Sequence, residues 1–183
     1  ADMVRELTKL AKNSGENDSV IVMYAGHGYV KDDTKQGYWL PVDANNYNPK
    51  TWLSNKDIVR LLKLNPSNQV LLVSDSCFSG TLTGETRVFK TEGNIQSILN
   101  KRSVLALSSG GEEPVSDEGY DGHSIFAYHL LKTLAKLDKS ATATDIHRAV
   151  AQKVVTEFPQ SPQLGGLLSA GHDEGGDYIF LKK

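Results

Sequence analysis

The sequence predicts an α/β fold, a mainly parallel sheet with helices on both faces. Three observations predict it. Continuous apolar runs at residues 19–24, 69–74 and 103–107 have the length and the Val, Ile and Leu content of strands buried on both faces. Segments with apolar residues at helical spacing stand before, between and after them. Each run ends in a turn of small residues, and strands that alternate with helices build a parallel sheet.

Taken in order, Met3, Val4, Leu7, Leu10 and Ala11 predict an opening helix, and residues 13–18 a polar turn. The first strand follows, ending at Ala25-Gly26-His27-Gly28. Residues 29–53, rich in Asp, Asn, Gly, Tyr and Trp, read as irregular. Ser54 opens a capping-box-like start to a helix with Ile58, Leu61 and Leu62 on one face, and Asn65-Pro66 stops it. The second strand ends at Asp75-Ser76-Cys77-Phe78-Ser79-Gly80. Residues 81–102 read as an exposed polar loop carrying Arg87, Lys90, Lys101 and Arg102. The third strand ends at Ser108-Ser109-Gly110-Gly111, and residues 112–122 form a second loop. Ser124 caps a helix with Phe126, Leu130, Thr133 and Leu134 inward; Thr144 caps another with Ile146, Ala149, Val150 and Val154. Pro159 and Pro162 bracket an extended link, and residues 177–181 read as a last strand.

The 183 residues suit one globular domain able to bury a real core. The formal charge of −2 and the scattered charges give no electrostatic case for nucleic acid or an anionic membrane. No apolar run approaches the ~20 residues of a membrane span, and the N-terminus does not read as a signal peptide. The expected location is therefore the cytoplasm. The chain has one cysteine, which rules out an intramolecular disulfide and a cysteine-rich metal site.

A lone cysteine is ordinarily a small buried hydrophobe. Here its context argues otherwise. Ligands of parallel α/β sheets sit outside the carboxyl ends of the strands. His27 and Cys77 each follow the carboxyl end of a buried-type strand, so neighbouring strands would bring an imidazole and a thiol to one sheet edge. A thiol nucleophile and its base need that geometry. Gly26 and Gly28 are expected to let the backbone turn sharply at His27. The amides of Gly28 and Cys77 are candidate donors to an oxyanion.

Tyr24-Ala25-Gly26-His27-Gly28, followed by Ser74-Asp75-Ser76-Cys77-Phe78-Ser79-Gly80 with the cysteine 50 positions after the histidine (77 − 27), resembles the caspase-like cysteine peptidases. The cysteine motif is similar to the Asp-x-Cys-x-Ser-Gly form of metacaspases and their bacterial relatives. The likeness extends through residues 37–43, 108–110, 122–126 and 171–177. It implies a caspase-like three-layer α-β-α sandwich, here lacking its N-terminal strands. Residues 1–86 would correspond to a large-subunit-like part and 103–183 to a small-subunit-like part. It also implies an endopeptidase with a Cys77–His27 dyad acting on proteins or peptides. Asp75, two before the cysteine, would line the pocket for the residue preceding the cut and favour Arg or Lys there. Ala25, Ser108 and Ser109 would contribute to the substrate cleft.

Many metacaspases bind calcium through clustered aspartates. The matching stretches here, residues 37–40 and 55–57 and Gly84, largely lack them, so no metal or other cofactor is expected. Basic residues of the 81–102 loop would suit self-processing. The late start of the chain relative to the family implies a further segment, on the same chain or a partner, covering an otherwise open sheet edge. His123 and His172 read as structural, and His129 and His147 as surface histidines of helices. Competing readings are a legumain-like or separase-like peptidase, a silent caspase-like scaffold, and a thiol redox sensor, the last lacking a resolving cysteine.

Overall fold

The computed structural model describes residues 2–76, 79–82, 94–111 and 119–182. Its centre is a sheet of strands β1 (Ser19–Ala25), β5 (Gln69–Asp75), β6 (Ser103–Ser108) and β8 (Gln163–Gly166), in that order. β1, β5 and β6 run parallel, and β8 closes the far side antiparallel to β6.

Alternate residues of β5 and β6 feed two separate cores, because successive side chains of a strand point to opposite faces. Val70, Leu72, Val104 and Ala106 pack with Ile58 and Leu62 of α2 (Asn55–Lys63), flanked by the half-buried Met3, Leu7 and Leu10 of α1 (Asp2–Asn13). Leu71, Val73, Leu105 and Leu107 pack with Phe126 and Leu130 of α4 (Ile125–Ala135) and with Ile146, Val150 and Val154 of α5 (Ala143–Glu157). Helix, sheet and helix make three layers. Phe126 is fully buried, and truncating such a ring to alanine costs about 3–5 kcal/mol.

β5 and β6 are buried on both faces as their sequences predict, but β1 is not. Val20 and Tyr24 are buried, whereas Ile21 is 51% and Met23 55% exposed. α4 and α5 cover β5 and β6 but stop short of β1, which is an edge strand among the described residues.

Residues 29–53 are not irregular. β2 (Gly28–Lys31), β3 (Gln36–Trp39) and β4 (Leu53–Ser54) form a small antiparallel sheet. Its connecting turn places Lys35 at φ 53°, with the Lys35 amide bonded to the Lys31 carbonyl. Aromatic contacts hold this sheet down: Tyr24 stacks on Trp39 at 4.1 Å, and Trp52 meets Tyr29 and Tyr38 edge-on. The turn-forming residues of the stretch masked these strands at the level of sequence.

Other expectations are corrected. The 81–102 segment contains a short helix, α3 (Ile95–Leu99), and Arg102 is not in an exposed loop. Its guanidinium donates to the carbonyls of Ser67 and Asn65, and its amide to Asp173. Arg87 and Lys90 lie outside the described residues. α5 begins two residues earlier than expected: Thr142 is its cap, in a reciprocal box with Asp145. The Thr144 hydroxyl is buried without a hydrogen-bond partner among the described residues. Directly after the link bracketed by Pro159 and Pro162 comes β8, a strand whose Gly165 and Gly166 gave no β signal. The last strand shortens to β9 (Ile179–Phe180), which pairs with β7 (Ala141–Thr142). His129 is buried rather than on the surface, its Nε2 2.9 Å from Glu157, and the half-buried His147 ring meets the Pro162 carbonyl. No helix among the described residues is long and apolar enough to cross a membrane.

Candidate active site

β1 and β5 pair in parallel from Ser19↔Gln69 to Ala25↔Asp75, so both strands stop at the same level. The Gly26 amide then donates to the Asp75 carbonyl at 3.2 Å and ties the two exits together. His27 is two residues beyond Ala25, and in sequence Cys77 is two residues beyond Asp75. Cys77 itself, with its amide, lies outside the described residues.

His27 is exposed. Its carbonyl accepts from the Tyr24 hydroxyl at 2.7 Å and from the Leu40 amide at 2.9 Å. The Tyr24 hydroxyl also lies 3.2 Å from the Leu40 carbonyl. Burial pushes the Tyr24 phenol up, so it stays a donor. The backbone at the imidazole is thus held by a stacked, buried ring.

The chain bends at Gly26 without a left-handed backbone. Among the described residues, positive φ at glycine occurs at Gly122, Gly171 and Gly175, not at Gly26 or Gly28. Gly26 is required for space: a Cβ there would stand 2.9 Å from the Tyr24 hydroxyl oxygen. Gly28 is opposite Trp39 in the β2–β3 ladder. The Leu40-to-His27 bond makes that a non-hydrogen-bonded pair, so β3 does not consume the Gly28 amide.

Asp75 is half-buried at the end of β5. It shares a face with Leu71 and Val73, the face covered by α4, and its Oδ2 accepts from the Ser124 hydroxyl at 2.6 Å. Ser124 also caps α4 by accepting from the Ala127 amide. Beside Asp75, Ala25 is exposed and offers only a methyl group, continuing the open Ile21 and Met23 face. A carboxylate therefore stands at the step where the α4 layer ends and bare sheet begins.

Ser108 and Ser109 are fully buried. The Ser108 hydroxyl donates to the Gly110 carbonyl at 2.9 Å. The Ser109 hydroxyl accepts the Ser76 amide at 3.2 Å, and the Ser109 amide donates to the Ser74 carbonyl. The buried Gln160 amide donates to the Ser109 carbonyl at 2.6 Å. These groups brace the exit of β5, one residue before Cys77. Sequence reasoning found Ser109 but not its link to Ser76, and it missed Ser124 as the partner of Asp75 and Gln160 as a brace. The capping signal at Ser124 was legible; its second bond, across 49 residues, was not.

His172 lies away from these residues. Its Nδ1 accepts the Val104 amide at 3.1 Å, and burial pushes its pKa down against the opposing pull of Asp173 and Asp177. Among the described residues no group of three or more His, Cys, Asp or Glu side chains is placed to hold a metal ion.

The sequence model described as "Caspase domain" matches residues 1–169. Among curated proteins the chain is 25% identical over 166 residues to Metacaspase-1B of Aspergillus fumigatus, covering 85% of this chain and 40% of that protein. The figures for Metacaspase-1B of Neosartorya fischeri are 25%, 85% and 39%. The chain thus spans about two fifths of the length of these relatives. In three dimensions it resembles Caspase-1 from Spodoptera frugiperda, with TM-score 0.62, 12% identity, and coverage of 91% of this chain and 67% of that one. A protein of Geobacter sulfurreducens gives TM-score 0.61 at 18% identity, with coverages of 90% and 72%. At such identities these two likenesses describe the fold alone.

Proposed function

Since the chain belongs to the caspase domain family of cysteine peptidases, we propose that it is an endopeptidase using a Cys77–His27 dyad and cutting after Arg or Lys. The carrying observation is the shared exit of β1 and β5: Ala25 is in register with Asp75, and Gly26 is bonded to the Asp75 carbonyl. Two parallel strands that end level, each followed two positions on in the sequence by one member of a thiol–imidazole pair, support the reading that the pair shares one sheet edge, as nucleophilic catalysis needs.

In this mechanism His27 takes the thiol proton of Cys77, and the thiolate adds to the scissile carbonyl. The oxyanion is stabilised by the amides of Gly28 and Cys77. His27 then gives the proton to the leaving amine as the C–N bond breaks. Water, deprotonated by the same imidazole, cleaves the thioester and frees the thiol.

Asp75 supports the choice of a basic residue before the cut. Ser124 orients its carboxylate, and a carboxylate accepts several donors at once, so a guanidinium can join on the side of Ala25. Ser108 and Ser109 support the cleft from beneath. Calcium independence is part of the proposal and rests on the paucity of carboxylates at residues 37–40, 55–57 and 84. So is a further segment lying on β1, supported by the exposed Ile21 and Met23.

The test is labelling by iodoacetamide and by an Arg-chloromethyl ketone, together with a fluorogenic peptide panel, on the protein and its Cys77→Ala variant. Labelling and Arg-selective release that both vanish in the variant support the reading. Release that survives Cys77→Ala refutes the dyad, and faster release after Asp than after Arg refutes the specificity. A protein that neither labels nor cleaves returns the chain to the scaffold reading.

A further inference from the structure

A cavity of about 620 Å³ lies apart from the strand exits, between the β2–β3 turn and α2. Among the described residues its walls carry Lys35, Lys56, Arg60 and Lys63 and no carboxylate. In a chain with a formal charge of −2, four cations around one cavity are a local inversion of sign.

Three of the four come from one helix face. Lys56, Arg60 and Lys63 are spaced i, i+4 and i+7 on α2, so neighbouring positive charges repel along it. Among the described residues Asp57 pairs with Arg60, in an exposed contact at 3.0 Å. Lys35 faces them from the hairpin, held in the left-handed conformation at φ 53°.

The floor is rigid. Gly37 of β3, Asn55 at the start of α2 and Thr81 of the turn Ser79–Leu82 meet at one point, where the Asn55 amide donates to the Thr81 hydroxyl at 2.7 Å. A Cβ on Gly37 would collide with both groups. Cavities of ~300–1,000 Å³ hold small molecules, so its size favours a compact ligand over a long acidic peptide.

We propose that this cavity is a binding site for a small molecule carrying a chain or cluster of phosphates. Phosphate oxygens would neutralise Lys56, Arg60, Lys63 and Lys35 together, relieving the repulsion along α2, with Arg60 able to take two oxygens at once. The site is independent of the peptidase reading, since none of its groups takes part in the proposed chemistry.

Inorganic tripolyphosphate, titrated calorimetrically into the protein at low salt without added metal, is the probe. Saturable one-site binding is expected, weakening as salt is raised. Lys56→Glu with Lys63→Glu should weaken it by at least about ten-fold, and Lys56→Gln with Lys63→Gln by less, as fits removed rather than reversed charge. All four changes are at exposed positions, and circular dichroism checks that the fold is kept. No saturable binding at millimolar tripolyphosphate, unchanged affinity in the folded variants, or tighter binding of a hexaglutamate peptide would each overturn the assignment.

Discussion

Asp75 and Ser124 are joined by a 2.6 Å hydrogen bond that spans 49 residues of sequence and connects the end of a strand to the start of a helix. The serine hydroxyl donates to the carboxylate while it accepts the Ala127 amide. One side chain therefore both starts α4 and aims the residue proposed to select the substrate.

Asp75→Asn should lower kcat/KM for peptides cut after Arg or Lys by about 10- to 100-fold, the worth of one charge-assisted hydrogen bond. Ser124→Ala should cost about 1 kcal/mol through the lost cap. It should also raise KM for Arg substrates more than it lowers kcat. Steady-state kinetics and urea denaturation separate the two effects.

Tyr24 fixes the His27 carbonyl through its hydroxyl. Tyr24→Phe keeps the stack on Trp39 but leaves that carbonyl with one donor fewer, at a cost of about 1 kcal/mol. The expected signature is a fall in kcat with KM little changed, because the imidazole is held less firmly. An unchanged kcat would show that the Leu40 amide alone suffices.

Ser109→Ala removes the acceptor of the buried Ser76 amide. An orphaned buried donor costs about 1–3 kcal/mol, so the denaturation midpoint should drop. Because Ser76 directly precedes Cys77 in the sequence, alkylation of Cys77 by iodoacetamide should slow in the still-folded variant.

His172 makes stability depend on pH. Its folded-state pKa is depressed, chiefly by burial, and its Nδ1 must be unprotonated to accept the Val104 amide. The folded state therefore favours the neutral ring. Its contribution is complete above the ordinary imidazole value of about 6.5 and is lost as pH falls through the lower, folded-state value. Urea midpoints measured across this window should decline, and His172→Asn, which retains an acceptor, should flatten that part of the curve.

Thr142→Ala should destabilise by about 1 kcal/mol, since Thr142 and Asp145 cap α5 reciprocally. Thr144→Ala should cost less, because no partner of its hydroxyl is found among the described residues. Thermal melts of the two variants place the start of the helix.

The sequence determined what depends on local pattern. Apolar runs 69–74 and 103–107, short and rich in Val and Leu, read as buried strands, Ser54 and Ser124 could open helices, and a histidine and a cysteine 50 positions apart stood after strand ends. Strand pairing was not local. The level ending of β1 and β5, the Ser109 hydroxyl on the Ser76 amide, and the Ser124 hydroxyl on Asp75 join residues 33 to 50 positions apart. They arise from long-range packing, which no local pattern encodes. The tertiary structure likewise bared one face of β1, whose apolar composition reads the same whether or not a helix covers it. It also made strands of Gln163–Gly166 and of the β2–β3 hairpin, where pairing and aromatic packing outweigh weak intrinsic preference.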